Sequence, residues 1–297
     1  LAWMDMSKPM ELPEILAHLA KEPLDFEPGT KYHYSNGGYA LLAAVIEKVS
    51  GKSYEAFVRD EFARKGYPSI GRDDADEVVP KMAERYAPGP RLGERQRAQT
   101  YYDSNRVGGG DLYGDAADVF RVLHAAYFGD LVSPRMREAL FSKKDPGIHQ
   151  DTGRSPGALA QISFDAEGKV TVVSLSSNSG WPAGFNRDLL RIYRGEPAPL
   201  TPFALAKGAA AEALADRVVG KYEIAEPFGW HVVIAKSEQG LVYQQDGDAI
   251  TTALAPTVAG EYYLPIYDWL CGLDGNALTC RQRDPAASIR FVFHRQS

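Results

Sequence analysis

The sequence has few of the features that mark metal, membrane or nucleic-acid proteins. It contains only two cysteines, and no zinc-protease helix motif, Walker phosphate loop or cysteine spacing typical of a metal site. No apolar run approaches the length needed to span a membrane. The net charge of −6 is spread along the chain, whereas nucleic-acid surfaces need clustered Lys and Arg. We therefore expect no metal, no nucleic acid and no membrane span.

The 297 residues suffice for one large domain or for a medium domain and a small one. Helical periodicity dominates the first part, and residues 158–164 and 170–175 are predicted to form a β-hairpin. From Val218 onward, short strands separated by turns predict a small β-barrel or sandwich. The expected divisions are a main domain at residues 1–195, a proline-containing linker and helix at 196–216, and the barrel at 217–297.

A polar trio, Tyr34-Ser35-Asn36, stands out in the main domain. It lies between a turn at Pro28-Gly29 and an apolar segment with helical spacing that ends before Gly51. The pattern predicts that this helix is buried through its large apolar residues, which are Leu41, Leu42, Val45, Ile46 and Val49. A trio held between a turn and a buried helix is placed rigidly, as catalysis requires.

Pro-Gly-Thr, then Tyr-Ser-Asn, Gly-Tyr and a Leu-rich helix ending in Ser-Gly resembles the middle motif of the penicillin-recognising serine hydrolases. These include class C β-lactamases, DD-peptidases, D-aminopeptidases and related esterases. The resemblance implies an α/β (α+β) fold, in which helices and a helical lobe flank an antiparallel sheet, and the barrel resembles the lipocalin-like modules attached to several of these enzymes. It implies that Tyr34 takes and returns protons, and that Asn36 supports the nucleophile's surroundings and the substrate amide.

The implied reaction is acyl-enzyme hydrolysis of an ester or amide, with a small-molecule or peptide substrate and no cofactor. In the family, a third motif of Lys-Thr-Gly or His-x-Gly on a strand edge binds the substrate carboxylate. The comparison places Asp151, Thr152 and Gly153 on it. Thr152 and Gly153 fit, but the Asp151 carboxylate would repel a carboxylate, so an uncharged ester or a cationic substrate fits better. His149 is an alternative binding residue, and we expect this strand and Tyr34 to flank one cleft.

The family's nucleophile motif, Ser-x-x-Lys, occurs nowhere in the sequence. The Gly-x-Ser-x-Gly pattern at residues 153–157 is no substitute, because Pro156 lacks the N–H that an oxyanion site needs and a strand is predicted to follow. Leu1-Ala2-Trp3 resembles the segment just past the family's Thr-x-Ser-Gly turn, so we expect a truncated hydrolase whose missing N-terminal segment is a further partner. The alternatives are a catalytically inactive β-lactamase-like binding protein and a barrel that holds an apolar ligand.

Cys271 and Cys280 lie on two predicted strands around Gly275-Asn276. If these two residues form the loop, Cys271 faces Cys280 with Cα atoms about 4.5 Å apart, and a disulfide can form. Two reduced cysteines that share a hairpin are an equal alternative. A bridge would favour a periplasmic or secreted parent. The sequence carries no signal for the oligomeric state.

Overall fold

The structure is a computed structural model, and it describes residues 8–31, 33–73, 77–99, 102–141, 148–178, 184–198, 203–224, 230–246, 251–283 and 290–296. The chain divides into two compact units. The first comprises the described parts of Leu1–Met82, Thr100–His149 and Ala166–Val173. The second comprises the described parts of Ala83–Gln99, Gln150–Asp165 and Ser174–Ser297. The domain boundaries expected at residues 195 and 217 remain predictions.

Helices form where the sequence combines apolar periodicity with a capping residue. Ser35, Ser53, Asp115 and Ser133 are N-caps whose side chains accept a hydrogen bond from a backbone N–H of the first turn. The helices are α1 (Leu12–Leu19), α2 (Asn36–Ser50), α3 (Tyr54–Arg64), α4 (Ala116–Tyr127), α5 (Pro134–Leu140), α6 (Phe185–Tyr193) and α7 (Gly208–Val218).

Sixteen strands are seen among the described residues, and they form four sheets. The strands are β1 (Gly71–Arg72), β2 (Tyr86–Pro88), β3 (Arg95–Arg97), β4 (Leu112–Tyr113), β5 (Ile148–Ser155), β6 (Ala158–Asp165), β7 (Val170–Ser176), β8 (Gly220–Ile224), β9 (Trp230–Ser237), β10 (Gly240–Gln245), β11 (Thr252–Ala253), β12 (Ala255–Pro256), β13 (Tyr262–Leu264), β14 (Trp269–Asp274), β15 (Ala277–Gln282) and β16 (Arg290–Arg295). The predicted hairpin is confirmed as β6 and β7, and β5 completes a sheet of order β5-β6-β7.

Helix α2 forms as predicted, but its burial differs from the prediction. The side that faces the core carries Gly37, Ala40 and Ala43. The large residues predicted to be buried are mostly exposed; Leu42 is 57% exposed and Val49 is 82% exposed. The prediction was wrong because it counted only the large apolar residues. The small residues Gly37, Ala40 and Ala43 face the core instead, since small side chains allow two backbones to approach closely. The core of this unit contains Met10, Leu12, Ile15, Ala40, Ala43, Tyr54, Val58 and Val107.

The C-terminal strands form the predicted small barrel. Nine strands follow the order β11-β10-β9-β8-β16-β15-β14-β13-β12. Only Leu254 separates β11 from β12 along the chain, so the two outermost strands of the order meet and the sheet is nearly closed. Helix α7 contributes Ala215 and Val218 to the barrel core. The hydroxyl of Tyr262 donates a hydrogen bond to the Leu214 carbonyl at 2.8 Å, which fixes this helix to the barrel.

The register predicted for the last cysteine hairpin is confirmed. Strands β14 and β15 pair Asp274 with Ala277 and Cys271 with Cys280. Gly275, in the loop between them, has a φ of 56°, which glycine adopts without strain. The two cysteines are joined in a disulfide, their Cα atoms are 3.9 Å apart, and both are buried.

Candidate active site

The hydroxyl and the amide of the Tyr34-Ser35-Asn36 motif meet at the N-terminus of α2. The Ser35 Oγ accepts a hydrogen bond from the Gly38 N–H at 3.1 Å and begins the helix. The Tyr34 hydroxyl donates a hydrogen bond to Asn36 Oδ1 at 2.7 Å, and Tyr34 is 56% exposed. A phenol that is oriented by a neighbouring amide and open to solvent can exchange a proton with a bound substrate.

Residues 107–110, here called the glycine turn, pack against the first turns of α2. Gly108 has a φ of +73°, and a Cβ built on it would lie 2.7 Å from the Tyr39 carbonyl oxygen and 3.3 Å from the Ala43 Cβ. A Cβ on Gly109 would lie 3.3 Å from the Tyr39 Cβ. The close approach requires glycine at position 108, and it places the backbone beside the Tyr34-Ser35-Asn36 motif.

The glycine turn is held by a fully buried carboxylate. Asp111 Oδ1 accepts a hydrogen bond from the Gly108 N–H at 3.0 Å, and its Oδ2 accepts one from Arg72 Nε at 2.8 Å. Arg72 Nη2 also donates to the Ser104 carbonyl at 2.9 Å. The ion pair therefore joins the turn to the short strand β1 and to the 3₁₀ helix Asp103–Arg106.

Burial shifts the protonation of two groups in this cluster. Desolvation raises the pKa of Asp111 above its ordinary value, and the hydrogen bond and positive charge of Arg72 oppose that shift. Desolvation, with the nearby Asp111 charge, raises the pKa of Tyr54 to about 12. In both groups the largest cause of the shift is burial.

Two further polar contacts fix the backbone near the motif. The buried Asn105 accepts a hydrogen bond from the Met10 N–H at 2.7 Å and donates one to the Lys8 carbonyl at 2.8 Å. His33, directly before Tyr34, lies with its Nδ1 2.9 Å from Asp25 Oδ2. The sequence analysis missed Arg72, Asp111, Asn105 and the pair His33–Asp25. Only Asp111 had a signal, since it directly follows three glycines.

Strand β5 carries the residues predicted for the third motif. It is the outer strand of the order β5-β6-β7, and Asp151, Thr152 and Gly153 are all exposed on it. A Cβ built on Gly153 would meet no atom within 4 Å, so the space beside this residue is open. A tight turn and then strand β6 follow β5, as expected, and this arrangement excludes a nucleophile elbow at residues 153–157.

His149 lies at the beginning of β5 within an aromatic cluster. Its ring centroid is 6.2 Å from that of Tyr127 and 5.8 Å from that of Phe141. Packing against these two rings is enough to explain why a histidine lies here. Its role as a substrate-binding residue remains a prediction. Tyr34 and Asn36 belong to the first compact unit, and residues 151–153 belong to the second.

Neither a metal cluster nor a membrane helix is found in the parts of the chain that the structure describes. No group of three His, Cys, Asp or Glu side chains there could hold a metal ion. No helix there is both long and apolar enough to cross a membrane.

An antiparallel sheet with flanking helices is the arrangement found in the class of serine β-lactamases and penicillin-binding proteins. A family model described as beta-lactamase matches residues 1–192. The chain therefore belongs to the beta-lactamase family.

Curated relatives support this membership. Penicillin-binding protein 4* of Bacillus subtilis (strain 168) is 28% identical over 178 residues, which are 56% of this chain and 38% of that protein. The mitochondrial serine beta-lactamase-like protein LACTB of Homo sapiens is 26% identical over 117 residues, which are 39% of this chain and 21% of that protein. The chain spans less than half the length of these curated relatives.

Solved structures show the same fold. The octameric penicillin-binding protein homologue from Pyrococcus abyssi matches 98% of this chain and 71% of its own, with 18% identity and a TM-score of 0.54. The D-amino acid amidase from Ochrobactrum anthropi SV3 matches 65% of this chain and 68% of its own, with 18% identity and a TM-score of 0.51. At these identities the likeness is one of fold.

Proposed function

We propose that this chain supplies the proton-transfer and substrate-binding parts of a serine hydrolase that cleaves an ester or amide through an acyl-enzyme. Tyr34 is the proton-transfer group, and Asn36 supports the substrate amide. Strand β5 presents Asp151, Thr152 and Gly153 to the substrate. The nucleophile is the serine of a Ser-x-x-Lys motif outside these 297 residues. Membership of the beta-lactamase family supports this proposal.

The observation that carries the proposal is the hydrogen bond from the Tyr34 hydroxyl to Asn36 Oδ1, 2.7 Å long. A serine hydroxyl is a weak nucleophile until a neighbouring group accepts its proton. The hydrogen bond to Asn36 orients the Tyr34 oxygen. A phenol that keeps its own hydrogen is not a base, and it normally loses that hydrogen only at about pH 10. Tyr34 therefore takes the serine proton as a phenolate, which adjacent cations must favour, and the phenol so formed gives that proton to the leaving group.

The charge of Asp151 supports a proposal on the class of substrate. An exposed carboxylate on the substrate-binding strand repels a substrate carboxylate and attracts a positive charge. We therefore propose an uncharged ester or amide, or one that bears a cationic group, in preference to a penicillin-like or peptide C-terminal carboxylate.

The test is hydrolysis of a nitrophenyl acyl ester by this chain and by a polypeptide that joins it to a segment carrying Ser-x-x-Lys. The chain alone is expected to give no more than the rate of its Tyr34→Phe variant. The joined polypeptide is expected to be active, and Tyr34→Phe should lower its rate by about 10²–10⁴-fold, which is typical of one acid–base group.

Tyr39→Phe is the matched control. Tyr39 is also partly exposed, lies on α2, and its ring centroid is 6.3 Å from that of Tyr34. Removal of its hydroxyl should leave the rate unchanged. Equal rates for the joined wild type and Tyr34→Phe would remove Tyr34 from the mechanism. An inactive joined polypeptide that still binds the ester would favour the alternative of a non-catalytic binding protein, which Asp151 also fits.

A further inference from the structure

Residues 151–153, proposed above as substrate contacts, lie on the outer strand β5, which among the described strands pairs with β6 only. Asp151, Thr152 and Gly153 are exposed. An exposed outer strand frays and shifts more readily than a central one. A strand that must present residues to a substrate therefore needs an anchor close to them.

Arg154, the next residue along β5, makes such a contact with the barrel. Its Nη1 donates a hydrogen bond to the Ile266 carbonyl at 2.7 Å, and its Cζ lies 5.0 Å from the centroid of the Tyr267 ring. The guanidinium is thus bound at once by an oxygen dipole and by an aromatic face. Burial lowers the pKa of Arg154, consistent with a cation that is largely removed from water.

The barrel side of this contact is rigidly built. Residues 265–268, here called the barrel turn, connect β13 to β14. The buried Asp268 carboxylate accepts hydrogen bonds from Arg283 Nε at 2.7 Å and from the Tyr263 hydroxyl at 3.0 Å. The Tyr267 ring stacks on Trp269 with centroids 4.5 Å apart, and its hydroxyl donates to Gln245 Oε1 at 3.0 Å.

Side chains alternate along a strand, so Thr152 and Arg154 project from the same side of β5 with Gly153 between them. When the side chain of Arg154 is held in place, the direction in which Thr152 projects from the strand is therefore held as well. We propose that the barrel turn positions the substrate-binding strand through Arg154, so that the C-terminal barrel is part of the substrate-binding apparatus. Arg154 is a positioning residue, and the inference rests on the proposed function only in treating residues 151–153 as substrate contacts.

The test measures amide hydrogen exchange of β5 in the full 297-residue chain. Tyr267→Leu removes the aromatic face, and Arg154→Gln removes the cation and shortens its reach. Each should raise exchange in residues 150–154 by about tenfold or more, because the anchor that opposes local opening is lost. Arg154→Lys and Tyr267→Phe keep a cation and a ring, respectively, and should retain most of the protection.

Trp230→Leu is the matched control for damage to the barrel itself. Trp230 lies at the opposite end of the same row of rings, stacked on Phe291 at 6.0 Å, and Phe291 stacks on Trp269 at 4.6 Å. Its loss should leave β5 exchange unchanged. Wild-type exchange of β5 in a folded Tyr267→Leu or Arg154→Gln chain would overturn the inference. So would an equal rise in Trp230→Leu.

Kinetics separate this inference from the proposed function. In a hydrolase that contains Ser-x-x-Lys, Tyr267→Leu should raise KM about tenfold and change kcat much less, because it weakens the presentation of binding residues. If exchange rises and KM does not, the positioning is correct and residues 151–153 are not substrate contacts. If exchange does not rise, the positioning inference fails whatever the enzyme's activity.

Discussion

The buried polar residues near Tyr34 fix the backbone behind the motif. Asp111 binds the Gly108 N–H and Arg72, and Asn105 binds the backbone of Met10 and Lys8. A buried carboxylate or amide is costly unless its hydrogen bonds are satisfied, so these contacts strongly disfavour other arrangements of the loops. The glycine turn, which packs on α2 next to Asn36, is therefore held in place while Tyr34 itself is exposed.

The buried phenol of Tyr54 predicts a loss of stability at alkaline pH. Its pKa is raised from 10.0 to about 12 in the folded chain. Below pH 10 the Tyr54 phenol keeps its proton in both the folded and the unfolded chain, and the free energy of unfolding has its full value. Between pH 10 and 12 the unfolded state releases it first, so the free energy of unfolding falls by about 3 kcal/mol in total.

Urea unfolding at pH 8, 10 and 11.5 measures this effect. Tyr54→Phe should show a smaller alkaline loss than the wild type, although a loss remains because burial also raises the pKa of Tyr263 to about 12. Tyr39→Phe, which alters a more exposed tyrosine, should behave as the wild type. An identical alkaline loss in Tyr54→Phe and the wild type would show that Tyr54 ionises equally in both states.

The sequence predicted the residues of the site that are close together along the chain, and it did not predict those that are brought together from distant segments. Tyr34 and Asn36 belong to one local pattern, and their hydrogen bond joins residues two positions apart. Arg72 and Asp111 are 39 residues apart, and the intervening segment has no period that would bring them together. Long-range polar pairs of this kind follow from the tertiary packing of loops.

At the scale of elements, helix bounds followed from caps and periodicity, whereas helix orientation did not. Asp115 and Ser133, residue types that favour the N-cap position, begin α4 and α5. The face of α2 was wrongly predicted because Ala40 and Ala43, the small residues, face the core. The glycine turn explains this face, since its backbone approaches α2 too closely for larger side chains.

Gly108→Ala tests the packing of the glycine turn on α2. The φ of +73° strains any other residue, and the new Cβ would lie 2.7 Å from the Tyr39 carbonyl oxygen. We expect a loss of about 2–4 kcal/mol in the free energy of unfolding, measured by urea denaturation. Gly110→Ala is the control in the same turn. Its Cβ would meet only the flexible Arg106 side chain at 3.4 Å, so a comparable loss there would contradict the explanation.

At the scale of the whole molecule, the barrel was predictable as a class of structure, and its closure was not. Strands such as β9 and β14 carry alternating or continuous apolar residues bounded by turns. Strands β11 and β12 have two residues each, too few to show any period, and yet they complete the sheet order. The placement of α7 in the barrel core depended on tertiary contacts that its alanine-rich sequence does not specify.

The Cys271–Cys280 disulfide gives the last prediction, which concerns both stability and cellular compartment. The bridge spans a sequence separation of 9, and the chain-entropy model assigns about 2–3 kcal/mol to a loop of that size. Reduction should lower the free energy of unfolding of the barrel by that amount, and unreduced protein should bind no alkylating agent in a mass measurement. A stable bridge would favour an oxidising compartment for this protein, the periplasm or outside the cell. Two alkylatable thiols in protein isolated without reductant would contradict both the bridge in solution and that location.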